Sequence, residues 1–237
     1  MSVILVALVA LAYLVGSITP AYLAARIARG VDLRKFGTRN TGISNLYRAT
    51  GNRKSILIPV IIFDLAKAWP LLWAAKALGL GNASLAAVAV AVVIGHNWPV
   101  YLRFHGGRGM LSSLGIALVM PLITGLAPWP LAAGLTIVVL GTFVARNAPL
   151  GVGLAVLALF VVSWAVGEPF ELTLGYLGIV LAMVVRRLVQ PRRDISARTK
   201  LPALLWNRLL FDRDIRDRKA WLEQSRPQVT HDRQEKG

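Results

Sequence analysis

The residues with the most chemical capacity lie in two short polar stretches, FGTRNTGISNLYR (36–48) and GHNWPVYLRFHGGRG (95–109). In the first, Gly37 and Gly42 free the backbone to turn N–H groups toward an anion, and Asn40 and Asn45 either hydrogen-bond locally or donate to it. Thr38, Thr41 and Ser44 add hydroxyls, while Arg34, Lys35, Arg39 and Arg48 add positive charge. That mixture suits a phosphate-bearing ligand. Composition alone also describes an ordinary basic loop that meets anionic lipid heads, and by itself that plainer reading takes precedence.

In the second stretch, the Gly106–Gly107–Arg108–Gly109 run bends a chain tightly around an oxyanion, with Arg108 as the counter-charge. His96 closes an apolar run, within reach of such a site; alone, it reads equally as a helix-end histidine satisfied by a carbonyl. His105 reads as a loop histidine, and neither forms a metal cluster with His231. Asp64 and Lys67, spaced i,i+3, share one helix face in an apolar setting, as a structural clamp or as part of a polar site wall. No nucleophile elbow, HExxH, Walker loop or dinucleotide fingerprint is present. The hydroxyls of Ser17, Ser112 and Ser113 have no base at informative spacing.

The elements that must position these groups are membrane spans. The chain is 56% hydrophobic, its mean hydropathy is +0.59, and its apolar runs approach the roughly 20 residues that cross a bilayer. They fall at about 3–25, 55–78, 83–102, 110–127, 130–145, 149–166 and 172–189. Pro121, Pro128, Pro130 and Pro149 interrupt the middle of this series, which leaves five to seven spans. Net charge is +16, yet the basic residues cluster between the apolar runs, so membrane lipids rather than nucleic acid are the expected partners. Arg26 to Lys54, Arg103 with Arg108, and Arg146 occupy alternate connections; the intervening ones, at 79–82, 128–130 and 167–171, hold no Lys or Arg. Seven spans satisfy that alternation, with the N-terminus outside and the C-terminus cytoplasmic. The N-terminus lacks a basic region before its apolar core and reads as an uncleaved first span. The expectation is an all-α polytopic membrane protein, with a multi-span domain over 1–189 and a basic, mixed-charge cytoplasmic tail over 190–237. The tail reads as a solvated helix or one lying on the inner leaflet. With no Cys, disulfides and Cys-ligated metals are excluded.

Taken together, these segments resemble the bacterial acyl-phosphate:glycerol-3-phosphate acyltransferase family. Residues 16–51 are similar to its first motif, GS…YL…G-x-D-x-R-x-x-G-S-G-N-x-G-A-T-N-x-x-R: Asp32, Arg34, Gly37, Asn40, Gly42, Asn45 and Arg48 match, and Thr38 stands for the serine. Asp64 and Lys67 resemble its D-x-x-K, and residues 95–115 resemble its second motif, G-H-x-x-P-x-F-L-x-F-K-G-G-K-G-V-A-T. The resemblance implies a seven-span enzyme at the cytoplasmic face that transfers a fatty acyl group from acyl-phosphate to the 1-hydroxyl of glycerol-3-phosphate, without cofactor or metal. It implies Thr38 and Arg48 as catalytic residues and Gly106, Gly107 and Gly109 as contacts for glycerol-3-phosphate. His96 or a substrate phosphate oxygen would accept the hydroxyl proton, the phosphate being preferred. Arg34, Asn40, Gly42, Asn45, Lys67 and Arg108 complete the expected substrate-binding set.

The departures are specific. Arg39 replaces a motif glycine, Ile43 an alanine, His105 and Arg108 two lysines, and Met110–Leu111 a Val-Ala pair. The third motif, R-H-x-x-x-N-I-x-R-L-x-x-G-x-E, is met by RRLVQPRRDIS, with Arg187 at the histidine, Gln190 at the asparagine and Pro191 at the isoleucine. Two alternatives stay open: a divergent enzyme with a rebuilt third motif, whether for this acceptor or another, or a non-catalytic paralogue that keeps a lipid-phosphate pocket for binding or regulation. A transporter is disfavoured, because the deep ionisable residues are few and no paired broken-helix repeats are visible.

Overall fold

Proline and glycine dictate where the long apolar runs start and stop as helices. The structure, a computed structural model, describes residues 3–190 and 199–223. All regular elements among these residues are helical: α1 (Val3–Gly16), α2 (Pro20–Arg29), α3 (Ile43–Thr50), α4 (Lys54–Ala66), α5 (Trp69–Ala77), α6 (Asn82–Asn97), α7 (Met110–Thr124), α8 (Trp129–Val139), α9 (Ala148–Ala165), α10 (Phe170–Leu188), α11 (Leu201–Phe211) and α12 (Arg218–Glu223). A 3₁₀ turn covers Val100–Leu102 and a π-helical turn Leu140–Val144.

Four helical stretches are long and apolar enough to cross a membrane: Val3–Arg29, Lys54–Ala77, Asn82–Leu102 and Ala148–Ala165. Met110–Thr124 and Trp129–Val144 are shorter apolar helices, and α10 runs 19 residues with Glu171 in its first turn and Arg186 and Arg187 in its last. Ile4, Ile62, Leu122, Phe143 and Trp164 stand exposed on the outside. Hydrocarbon covers such a belt, and the helices satisfy their own backbone polar groups within it.

The first run, expected as one span over 3–25, lies in the single stretch Val3–Arg29, which is interrupted between α1 and α2. Pro20 starts α2, and Thr19 before it takes an extended backbone (φ −116°, ψ 85°), because a residue preceding proline is pushed out of the helical region. The hydroxyl of Ser17 donates to the Tyr13 carbonyl at 2.8 Å and that of Thr19 to the Ser17 carbonyl at 3.1 Å, satisfying backbone acceptors near the break. The second run breaks too, at Lys67–Ala68, between α4 and α5. Both interruptions lie beside the site described below.

The α6 stretch is the hub: 67% of its apolar window is buried, against 28–39% for the other three. It packs on α1 and α10 through Leu85, Val88, Val92 and Val93. A second, smaller core of Ala21, Ala25, Leu33, Leu46, Leu57 and Val60 joins α2, α3 and α4 and seats the loop between α2 and α3. The crossing of α1 and α6 is close enough that a Cβ on Gly16 would run into the Val92 backbone, and one on Gly95 into the Tyr13 carbonyl. Without a hydrophobic driving force between helices in lipid, such small-residue approach is what lets backbones pack.

Gly95→Val is therefore expected to destabilise the protein by about 1–3 kcal/mol through overpacking, read as a lower thermal midpoint in detergent. Gly81→Ala, whose new Cβ meets open space, is expected to leave that midpoint unchanged.

Candidate active site

The loop from Gly30 to Gly42 is organised by one buried amide. The Asn45 side chain accepts from the Thr38 N–H at 3.1 Å and donates to the carbonyls of Leu33 (3.2 Å), Phe36 (2.9 Å) and Asn40 (2.9 Å). Asn40 in turn accepts from the Gly42 N–H at 3.1 Å, a local turn that delivers the chain to the start of α3. Arg34 forms a two-point pair with Asp32 (3.0 and 2.8 Å) and lies over the Tyr22 ring. That guanidinium holds the Asp32 carboxyl below the usual carboxylate range. Arg39, where the family motif has glycine, sits exposed at φ 57°. This is the left-handed region that glycine occupies without strain. The motif glycine thus has a backbone reason, and Arg39 keeps its conformation.

The 95–109 stretch folds back on the end of α6. Arg103 and Phe104 both adopt positive φ, and the Gly107 N–H donates to the His96 carbonyl at 3.0 Å. A Cβ on Gly106 would strike the His96 and Asn97 carbonyls, and one on Gly107 would strike the His96 ring. The glycines serve this close approach, and the Gly107 N–H is spent inside the protein. Arg186 clamps the turn from α10, donating to the carbonyls of Gly107 (3.0 Å) and Gly106 (2.8 Å).

Under this turn lies a buried polar cluster. The Lys67 ammonium donates to Asp64 Oδ1 (2.9 Å) and to the Gly16 carbonyl (3.1 Å), and lies 2.8 Å from His96 Nδ1. The Asp64 carboxylate is 3.5 Å from the same ring nitrogen. Unpaired, any of these charges would be costly at this depth.

A cavity of about 770 Å³ opens beside the cluster and gathers much of the expected set: Thr38, Asn40, Gly42 and Arg48 from the first stretch, His96 and Arg108 from the second, with Asp64 at its base. Arg34, Asn45, Lys67, Gly106, Gly107 and Gly109 do not line it; they build the frame behind it. Gly42–Ser44, Met110–Leu111 and Asn147–Pro149 also line it, so the first turns of α3, α7 and α9 all face one space. Leading N–H groups of a helix lack intrahelical acceptors and carry the positive end of its dipole. The starts of α3 and α7, together with Arg48, Arg108, Arg146 and Arg213, give the space positive character against Asp64 and Asp212, whereas α9 adds little, because Pro149 has no N–H and the Leu150 N–H is taken by Asn147.

Arg146, Asn147 and the tail residues Phe211, Asp212, Arg213 and Trp221 escape sequence reasoning as site residues. Asn147 had a usable signal, an Asn-Ala-Pro helix start, and its side chain accepts from the Leu150 N–H. The tail had none. Its described part is not a solvated helix: α11 packs on α9 and α10, and Leu204, Arg208 and Trp221 are buried. Asp212 is ion-paired with Arg108. Burial pushes the Asp212 carboxyl above its ordinary range, with Arg108 pulling the other way. Arg187, at the third-motif histidine position, donates to the carbonyls of Leu209 (2.9 Å) and Pro149 (2.8 Å), tying α11 to the start of α9. Gln190 donates to the Arg187 carbonyl at 3.1 Å, and Pro191 lies outside the described residues.

Asn45→Ala is expected to lower unfolding free energy by about 1–3 kcal/mol, since it strips buried carbonyls of their donor. Arg34→Ala, at a partly exposed pair, is expected to cost no more than about 1 kcal/mol. Chemical denaturation in detergent compares the two.

Comparison with known proteins places this geometry. A family model described as glycerol-3-phosphate acyltransferase matches residues 6–197. The chain is 38% identical over 231 residues to glycerol-3-phosphate acyltransferase 4 of Dehalococcoides mccartyi, covering 95% of this chain and 96% of the relative. It is 40% identical over 159 residues to the glycerol-3-phosphate acyltransferase of Thermus thermophilus, covering 67% and 75%. Among solved structures it is similar to PlsY (YgiH), an integral membrane glycerol 3-phosphate acyltransferase. The glycerol 3-phosphate form gives a TM-score of 0.66 at 30% identity over 77% of this chain and 88% of that one. The lysophosphatidic acid form gives 0.63 at 27% over 86% and 93%. With an apolar helix bundle, a family match over residues 6–197 and a relative 38% identical over nearly the whole chain, the chain belongs to the glycerol-3-phosphate acyltransferase family.

Proposed function

We propose that this protein is the membrane acyltransferase that moves a fatty acyl group from acyl-phosphate to the 1-hydroxyl of glycerol-3-phosphate, giving lysophosphatidate for phospholipid biosynthesis. The observation that carries this reading is the convergence of the starts of α3 and α7 and of four arginines on one cavity in a membrane-embedded bundle. Two phosphate-bearing substrates repel each other, and fixed dipoles and guanidinium groups shielded from bulk water hold them together.

The chemistry asks little more of the protein. The glycerol hydroxyl oxygen bonds to the acyl carbon, the carbon–oxygen bond to phosphate breaks, and the hydroxyl proton passes to a phosphate oxygen. Alignment alone supplies much of the rate, since well-oriented reactants gain roughly 7–11 kcal/mol. Arg48 and Arg108 hold phosphate, Thr38 donates a hydroxyl bond to substrate, and the first residues of α3 present N–H groups, with Asn40 fixing Gly42 in front of them. Arg34, Asn45, Lys67, Gly106, Gly107 and Gly109 keep these in place from behind the wall. The non-catalytic alternative is not favoured, because relatives matching this chain nearly end to end carry the enzyme name. Arg187, at the third-motif histidine position, has a structural task, bonding the carbonyls of Leu209 and Pro149.

Seven spans, with the N-terminus outside and the site facing the cytoplasm, complete the reading. The cavity draws on the three basic connections and the tail, and on none of the Lys/Arg-free connections, which supports that orientation.

With purified protein, acyl-phosphate and glycerol-3-phosphate are expected to yield lysophosphatidate, and Arg48→Ala to cut the rate about 10²–10³-fold. Full activity in that variant removes Arg48 from the site. Acyl-CoA and acyl-carrier-protein donors run in parallel test the donor. Saturable glycerol-3-phosphate binding without turnover on any donor would establish the regulatory alternative. Because the chain has no native cysteine, Asn52→Cys and Ala83→Cys test the orientation. In whole cells an impermeant maleimide is expected to label position 83 and spare position 52; the reverse pattern overturns it.

A further inference from the structure

His96 presents two different edges. Its Nδ1 edge lies on Lys67 at 2.8 Å and Asp64 at 3.5 Å. Its Nε2 edge lies against Gly107, where a Cβ could not fit, in the turn that carries Arg108 into the cavity. The protein therefore decides which ring nitrogen carries the proton, and the other contacts of the cluster show how.

The Asp64 carboxylate needs one cation nearby. Lys67, at 2.9 Å, is nearer than His96 Nδ1 at 3.5 Å. An ammonium has three N–H donors and no acceptor. The three acceptors within reach of this one are Asp64 Oδ1, the Gly16 carbonyl and His96 Nδ1. A proton on Nδ1 would set donor against donor at 2.8 Å, with the Arg186 guanidinium bonded to the adjoining Gly106 and Gly107 carbonyls from α10.

We propose that Lys67 is a positioning residue that fixes the His96 proton on Nε2, so that His96 serves the reaction as a hydrogen-bond donor to an anionic substrate oxygen and not as its base. This rests on the acyl-transfer reading for the identity of the substrate, but not for the tautomer. An Nε2 that already bears a proton has no lone pair with which to accept the glycerol hydroxyl proton. The proton goes to a substrate phosphate oxygen, and Nε2–H joins Arg108 in stabilising the charge. Lys67 contributes without touching substrate, which explains an ionisable residue in this bundle that does not line the cavity.

Histidine ¹⁵N NMR reads the tautomer directly, and His105→Gln with His231→Gln leaves His96 as the single histidine. The full chain in lipid nanodiscs is expected to show a protonated Nε2 and a bare Nδ1 at neutral pH, without substrate. A protonated Nδ1, in either the other tautomer or the imidazolium, overturns the proposal. Lys67→Met is expected to give a mixed tautomer; an unchanged spectrum in a folded variant denies Lys67 its role, and should that variant not fold, the Lys67-containing spectrum decides. Activity separates donor from base. The glutamine amide reaches the Nε2 position, whereas the asparagine amide reaches only the Nδ1 position. His96→Gln is expected to stay within about tenfold of the parent rate and His96→Asn to fall about 10²-fold or more, as for loss of one oxyanion donor. Equal collapse of both, with both folded, makes His96 a proton acceptor and sinks the proposal. A parent protein with the expected tautomer that turns over no donor refutes the acyl-transfer reading alone.

Discussion

The buried Lys67 ammonium is the interaction on which the architecture turns. It meets the Gly16 carbonyl at the end of α1, Asp64 in the last turn of α4 and His96 in the last turn of α6. Helix C-termini carry unpaired carbonyls and the negative end of the dipole, so three of them can surround one cation in a setting where a lone charge is prohibitive. The breaks in the first two apolar runs make this meeting possible. Without the interruption after Gly16 its carbonyl would stay engaged within a continuing helix, and Lys67 sits at the corresponding break between α4 and α5.

The cavity is the electrostatic complement of that cluster. There the ends that meet are N-termini, with the starts of α3 and α7 leaving N–H groups open and that of α9 capped by Asn147. The Lys67 cluster and the cavity lie side by side, with His96 in the wall between them, its Nδ1 edge on Lys67 and its Nε2 edge against Gly107. The helix ends are thus sorted by sign, which lets an apolar bundle hold a strongly polar site without stranding charge in hydrocarbon.

Arginines knit the far wall. Arg186 clamps the glycine turn, Arg187 joins α9 to α11, Arg208 bonds the Leu188 carbonyl and Asp214, and Arg108 meets Asp212. A guanidinium presents several donors in a rigid fork, so one side chain can satisfy carbonyls on two segments at once. That capacity explains how a chain lacking the third-motif histidine still closes this region, and why its described tail packs down as part of the cavity wall.

The sequence by itself determined the helical class, the apolar segments, the polar stretches at 36–48 and 95–109 and their shared side, because periodicity, glycine content and the Lys/Arg bias are local quantities. It also picked out residues that line the cavity or pack behind it, but not the contacts of each. Asn45 and Lys67 each read both as a local organiser and as a ligand contact, and the structure shows them bonded inward; the glycines at 106 and 107, read as a phosphate cradle, pack against His96 and its neighbouring carbonyls. A side chain's task depends on which acceptors lie within 3 Å of it, and those come from distant segments: Gly16 for Lys67, Leu33 for Asn45, Asp212 for Arg108. Only the tertiary structure decided those meetings, since one residue type can donate to a substrate or to its own backbone, and packing alone chooses which.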